Sequence, residues 1–443
     1  MGSKAVETAS SRDAILEAVA LFAREHVLSK PEFRPGESHV PVSGRVLQPR
    51  DIAALVDASL DGWLTSGPRT ELFERQIAKR LGVRSALMVN SGSSANLLAL
   101  SALTSPLLGS RRLVDGDEVI TPALGFPTTL NPILQNRLKP VLVDVEVGTY
   151  APRVEEIEAA IGPRTRAVFA AHTLGNPFDA DSLAKLCKDR GIWLIEDNCD
   201  ALGSTLKGAP TGGFGDLSTL SFYPAHHITT GEGGMVAFNS PKLRRPLESF
   251  RDWGRACYCP PGEDDTCNKR FGWKLGDLPD GYDHKYIYSH IGYNLKSTDI
   301  QASLGSSQLA CLDDFIKARR DNFAFYSDAL AHRDELLLPQ ATPGSNPSWF
   351  GFPILLRSEF SRSREDFVRF LTARNIGTRL LFGGNLAKQP AYRDVAFRLA
   401  SDLRGSDAAM NQGFWIGTFP GLTRGMTTYV AKSIEDFLDG ATK

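Results

Sequence analysis

The chain has 443 residues, 42% hydrophobic, 23% charged and 9% aromatic, with a net charge of −1. This is the profile of a soluble globular protein long enough for two or three domains, and its interspersed charges offer no basic stripe for nucleic acid and no acidic tail. The longest uncharged run, Ser85 to Ser110, is broken by Asn90, Asn96 and Pro106, so no segment reads as membrane-spanning. The start, MGSKAVETASS, lacks the cationic-then-apolar order of a signal peptide and has Val6 where myristoylation needs Ser or Thr. A cytoplasmic location is expected, and with it reduced cysteines or metal ligands rather than disulfides.

Taken in chain order, residues 12–28 have apolar residues at helical spacing and predict an N-terminal helix, followed by a Pro- and Gly-containing connector at 31–45. Residues 50–82 read as helical with a turn near TSGPRT. From about residue 85, short apolar runs alternate with amphipathic stretches: ALMVN, DEVITP, KPVLVDV, RAVFAAH, IWLIED, LSTLSF and GMVAF. Strand and crossover repeated in this way predict a mainly parallel sheet of seven strands covered by helices. Ligands of such sheets lie beyond the carboxyl ends of strands. There this sequence places Ser91 to Ser94, His172, Asp197 and Ser221. Residues 251–300 are rich in Cys, Gly, Pro, Asp and Tyr, and a loop insertion of that length in a compact domain is usually functional. Beyond 301 the chain turns helical and then gives short strands and helices. The expected division is residues 1–49 as helix and connector, 50–305 as a large domain with the insertion, and 306–443 as a small α+β domain.

Three segments carry chemistry. In NSGSSANLLALSAL (90–103) a strand, a Gly/Ser turn and a helix offer free N–H groups to an anion, although a plain helix cap fits as well. WLIEDNCDALGS (193–204) ends a strand on acids. GDLSTLSFYPAHHITTGEGG (215–234) runs a strand into a Gly-rich turn. In this order they resemble the sugar aminotransferase branch of the type I pyridoxal-phosphate (aspartate aminotransferase) fold, from about residue 50 to the end. The resemblance implies that Asp197 pairs with the pyridine nitrogen, that Gly92, Ser93, Ser94 and Ser221 hold the phosphate, and that Phe126 lies against the ring. It also implies a homodimer in which Asn294, in YNLKSTDIQ, reaches the partner subunit's phosphate.

Where that family carries its Schiff-base lysine, this chain has His226, five residues after Ser221. An imidazole cannot anchor the aldehyde but can act as a base near neutral pH. The implied cofactor is therefore bound non-covalently, as pyridoxamine phosphate. His227 is expected to be structural. A decayed aminotransferase with a chance histidine is the alternative.

Six cysteines are present. Cys187 and Cys311 lie in apolar helical surroundings and read as buried thiols, whereas Cys199, Cys257, Cys259 and Cys267 are spaced by 57, one and seven residues. Four thiolates suit tetrahedral zinc or an iron–sulfur cluster. The nearness of Cys199 to Asp197 favours an electron carrier. With CDAL…RACYCPPGEDDTC and SFYPAHHITTGEGG together, the chain resembles the nucleotide-sugar 3-dehydrases that act on 4-keto-6-deoxyhexoses. That resemblance implies pyridoxamine phosphate, a [2Fe–2S] cluster on Cys199, Cys257, Cys259 and Cys267, His226 as base, and a separate flavin and iron–sulfur NAD(P)H reductase. A CDP-linked substrate of surface-polysaccharide pathways is expected from the run DASLDGWLTSG. Alternatives are a dTDP-linked 2,6-dideoxy substrate, a cluster-free GDP-linked dehydratase, and a zinc-stabilised non-catalytic protein. Weaker candidates for substrate contact are His172, Lys285, Tyr286, Arg379 and Asn385.

Overall fold

The computed structural model describes residues 2–29, 31–260 and 262–441. The N-terminal helix is longer than the expected 12–28 region at its start. It spans Gly2–Phe22 and continues as a wider helical turn, Ala23–Val27. Helices Pro49–Leu60 and Pro68–Leu81 follow, each opening on a proline whose missing N–H costs nothing at a first helical position.

The main sheet is built from β1 (Ser85–Val89), β2 (Glu118–Pro122), β3 (Lys139–Val143), β4 (Thr165–Ala171), β5 (Trp193–Asp197), β6 (Leu217–Ser221), β7 (Gly234–Phe238) and β8 (Arg398–Leu399). Their order is β1-β7-β6-β5-β4-β2-β3-β8. Only β7 runs against its neighbours, pairing antiparallel with β1 and β6. Eight strands replace the expected seven because the two-residue β8 adds parallel to β3, in the register Arg398 to Val141 and Leu399 to Leu142. Two residues carry no periodicity. This strand is held instead by Arg398, whose guanidinium pairs with Glu118 and donates to the Ala160 carbonyl.

The strand side chains alternate between two cores. Val119, Leu142, Phe169 and Ile195 face one cluster, while Ile120, Val141, Val168 and Leu194 face the other. Both faces are apolar and covered, which explains the near-continuous hydrophobic runs of β2 to β5. The C-terminal lobe has a three-stranded antiparallel sheet, Leu336–Leu337, Gly351–Leu356 and Gly413–Gly417, with its own core around Phe352, Phe367, Phe414 and Phe437. The nineteen-residue helix Leu312–Leu330 precedes that lobe. Among the described residues, no helix is long and apolar enough to cross a membrane.

Candidate active site

The carboxyl ends of β1, β4, β5 and β6 open onto a cavity of about 850 Å³. Its floor is Asp197, the last residue of β5, a strand buried along its length. One Asp197 oxygen accepts from Asn96 Nδ2 at 2.9 Å and Thr129 Oγ1 at 2.7 Å; the other accepts from the Cys199 amide at 3.2 Å. The carboxylate is thus oriented before any ligand arrives. Its neighbour Glu196 points to the other side of the strand. There it takes amide hydrogens from Gly212, Phe214 and Gly215 and meets His172 Nε2 at 2.9 Å. His172 is stacked flat on Phe178, with centroids 4.3 Å apart.

The helix Gly92–Leu103 begins at the cavity, where Ser91 Oγ caps it by accepting from the Ser94 amide at 3.1 Å. Gly92, Ser93 and Ser221 line the cavity; Ser94 sits behind them in the cap. A Cβ on Gly92 would stand 2.4 Å from Ser221 Cβ, so the helix approaches β6 this closely only with glycine. Phe126, half-exposed, forms part of the wall with Phe382 set edge-on at 6.4 Å. Arg379 also lines the cavity.

His226 lies on the turn after β6, its amide bonded to the Tyr223 carbonyl at 2.9 Å. Burial pushes its imidazole down to about 3, and the nearby Arg319 guanidinium adds to the effect. Asp200 faces it, Oδ1 to Nδ1 at 3.5 Å, and burial followed by the charge of Asp197 pushes that carboxyl up to about 8. The two therefore meet as neutral groups near pH 7, a protonated acid against an unprotonated base. Arg319, fully buried on the helix Leu312–Leu330, donates to the carbonyls of His226, Trp349 and Phe350. His227 bonds the Ser348 carbonyl at 2.8 Å.

A cofactor of the pyridoxal-phosphate family fits this arrangement on two observations. The Nδ1 atom of His172 is buried without a hydrogen-bond partner, and the residue lines the cavity. The Gly92 cradle presents a helix N-terminus, a natural seat for a phosphate.

The other sequence candidates lie elsewhere. Asn385 is buried and spends its side chain on Asp407, at 2.8 Å, and on the Ala387 amide. Lys285 is tied to the Glu263 carbonyl and to Asp264, and Tyr286 is exposed beside it; both belong to the cysteine loop. Asn294 accepts from Lys296 Nζ at 2.8 Å, outside the cavity wall.

Cys199 lines the cavity, and its thiol is pushed well above the ordinary range by burial and by the Asp197 carboxylate. The loop cysteines are gathered separately. The ligand atoms of Cys257, Cys259 and His284 lie within 4.8 Å of one another, and Cys267 Sγ stands 3.7 Å from His284 Nδ1. Burial opposes ionisation of Cys259, but bonds from the Thr266 hydroxyl and the Cys267 amide outweigh it, so its thiol sits below the usual value. A set of soft sulfur donors with one imidazole suits a metal or cluster. His284 escaped the sequence reading although DHKYIYSH was singled out. Its signal was a histidine within thirty residues of three loop cysteines. Asp200, three residues beyond Asp197, was missed because a third acid in one turn resembles a cap.

The helix-covered, mainly parallel sheet with a buried carboxylate at a strand end is that of the type I pyridoxal-phosphate fold. The profile of the DegT/DnrJ/EryC1/StrS aminotransferase family matches residues 46–435, and the chain belongs to that family. A dTDP-4-dehydro-2,6-dideoxy-D-glucose 3-dehydratase of Saccharopolyspora spinosa is 53% identical over 428 residues, 97% of this chain and 92% of the relative. The lipopolysaccharide biosynthesis protein RfbH of Salmonella typhimurium is 52% identical over 427 residues, 96% of this chain and 98% of the relative. The E. coli GDP-4-keto-6-deoxy-D-mannose-3-dehydratase with bound hydrated PLP superposes with a TM-score of 0.80 at 27% identity, covering 90% of this chain and 99% of that one.

Proposed function

We propose that this chain, a nucleotide-sugar 3-dehydratase of the pyridoxal-phosphate family, removes the C3 hydroxyl of CDP-4-keto-6-deoxy-D-glucose. It does so with pyridoxamine phosphate and a [2Fe–2S] cluster, as a homodimer served by a flavin and iron–sulfur NAD(P)H reductase, in 3,6-dideoxyhexose formation. The observation that carries the reading is His226: an unprotonated imidazole lines the cavity at the turn where covalent anchoring by lysine is the family's habit. Relatives at 52% and 53% identity, one of them named a 3-dehydratase and the other a lipopolysaccharide biosynthesis protein, support it.

When bound, pyridoxamine phosphate supplies a primary amine toward a C4 ketone and a ring that accepts electrons, and the cluster supplies single electrons. The protein's own residues do the rest. Asp197 holds the ring nitrogen's proton, its orientation fixed by Asn96 and Thr129. Gly92, Ser93 and Ser221 hold the phosphate, with Ser94 fixing the helix cap behind them and the partner's Asn294 joining, and Phe126 packs against the ring face. His226 turns Nδ1 toward Asp200 and takes the substrate-side proton on its other ring nitrogen. Burial holds the imidazole unprotonated near pH 7, so its ring can accept a proton. Arg379 and His172 bound the sugar's side of the cavity. Cys199, Cys257, Cys259 and Cys267 are the cluster's thiolates.

The test is an anaerobic absorption spectrum with iron and sulfide quantitation, followed by turnover with purified CDP- and dTDP-linked 4-keto sugars. A colourless, iron-free chain that takes up no pyridoxamine phosphate ends the reading. Preference for the dTDP sugar selects the second reading, a dTDP-4-keto-2,6-dideoxyhexose 3-dehydratase, which the relative at 53% identity favours.

A further inference from the structure

Phe382 stands where the backbone calls for a glycine. Its φ is 49°, in the left-handed region that glycine enters freely and a bulky side chain enters only under strain. Gly383 and Gly384 follow it directly in the run TRLLFGGN. Two glycines serve this turn, yet its left-handed residue 382 carries an aromatic ring.

The surroundings hold that strain in place. On the entry side, Arg379 and Trp415 exchange backbone hydrogen bonds at 3.1 and 2.7 Å, and Leu381 is buried. On the exit side, the turn is stitched to the loop after β2. The Gly383 amide donates to the Gly125 carbonyl at 3.1 Å, and the Leu386 amide donates to the Ala123 carbonyl at 2.9 Å. Asn385, between them, is pinned to Asp407 at 2.8 Å. A turn clamped at both ends can keep a residue in a conformation it would not adopt alone.

The turn delivers a ring to a defined place. Phe382 lines the cavity and sets itself edge-on to Phe126, with centroids 6.4 Å apart and planes at 82°. That is a favoured aromatic geometry. Phe126 needs the support: it is 53% exposed and sits just ahead of the helix Pro127–Gln135. Among the described residues, no other ring is set against it.

We propose that Phe382 is a positioning residue, whose strained backbone sets its ring edge against Phe126 and fixes that side chain as the wall for the cofactor's pyridine ring. The proposal rests on the reading of Phe126 as the neighbour of that ring. An unbraced, half-exposed phenylalanine has several rotamers, and the freedom among them is lost when a ligand binds. The brace removes that freedom beforehand, so the cofactor meets a wall already in place.

The experiment is a fluorescence titration of the cofactor-free, full-length chain with pyridoxamine phosphate, paired with thermal melting. Phe382→Gly is expected to weaken binding about three- to tenfold, the size of one aromatic pair. Phe382→Tyr keeps the ring edge and is expected to bind as the parent does. The glycine variant is expected to melt no lower than Phe382→Ala, because glycine alone relieves the left-handed backbone. In a Phe126→Ala background, Phe382→Gly is expected to change affinity by less than about twofold, since it acts through that ring. Parent affinity in Phe382→Gly, or an undiminished loss once Phe126 is already removed, overturns the proposal. So does an alanine variant that melts above the glycine one. A parent chain that takes up no pyridoxamine phosphate is a different failure: it ends the functional reading, and the brace falls with it.

Discussion

In the cofactor cavity, Asp197 ends a fully buried strand and takes three hydrogen bonds from separate elements. In the cysteine loop, Cys257, Cys259 and Cys267 stand on irregular backbone and are ordered around one imidazole. The cavity residues are placed by the sheet, whose two cores would exist without any ligand. The loop residues are placed by isolated backbone bonds, Ala256 to Ile287 and His284 to Arg270, and by side-chain pairs such as Arg270 with Asp283, rather than by a continuous ladder. The first arrangement suits a reaction that needs fixed proton geometry. The second suits a group that must be assembled into the chain after folding.

The largest test of this contrast is His226→Lys, which changes chemistry on a scaffold the sheet already fixes. We expect C3 deoxygenation to fall by about 10²–10⁴-fold, the usual contribution of a positioned base, with the melting transition preserved. Product analysis by sugar-nucleotide chromatography checks it, and unchanged deoxygenation removes His226 from the base role. Phe169→Ala, in the core beneath the cavity, is expected to cost about 3–5 kcal/mol in denaturant unfolding, since Phe169 is fully buried. A cost below 1 kcal/mol would mean that the sheet does not set the cavity's rigidity. Gly92→Ala brings a methyl to 2.4 Å from Ser221 Cβ and should destabilise by about 1–3 kcal/mol while weakening pyridoxamine phosphate uptake, read by equilibrium dialysis. Smallest of all, Phe271→Ala on the exposed loop is expected within about 0.5 kcal/mol of the parent. A large loss there would show that the loop is part of the folding core after all.

The same contrast explains what the sequence revealed. Asp197, Ser221, Gly92 and His172 were legible because strand ends are marked by a change from apolar to polar residues, and the structure brings these four to one cavity or its rim. The loop cysteines were legible by type and spacing. His284 was not, because nothing local in DHKY tells a buried ligand from a surface histidine. Lys285 and Tyr286, one and two residues further on, drew attention instead and turn out to face Asp264 and solvent. Asn385 reads as a pocket residue in TRLLFGGN but is consumed by Asp407 and the Ala387 amide, a contact between segments that no single stretch announces. The eighth strand was invisible for the same reason, since two residues have no period to detect.

Arg319 joins two parts of the molecule. Its guanidinium grasps the carbonyl of His226 on one side and those of Trp349 and Phe350, at the threshold of the C-terminal lobe, on the other. A rotation of that lobe would be transmitted through a single cation to the backbone of His226, so that any movement of the lobe and the aim of that imidazole become one.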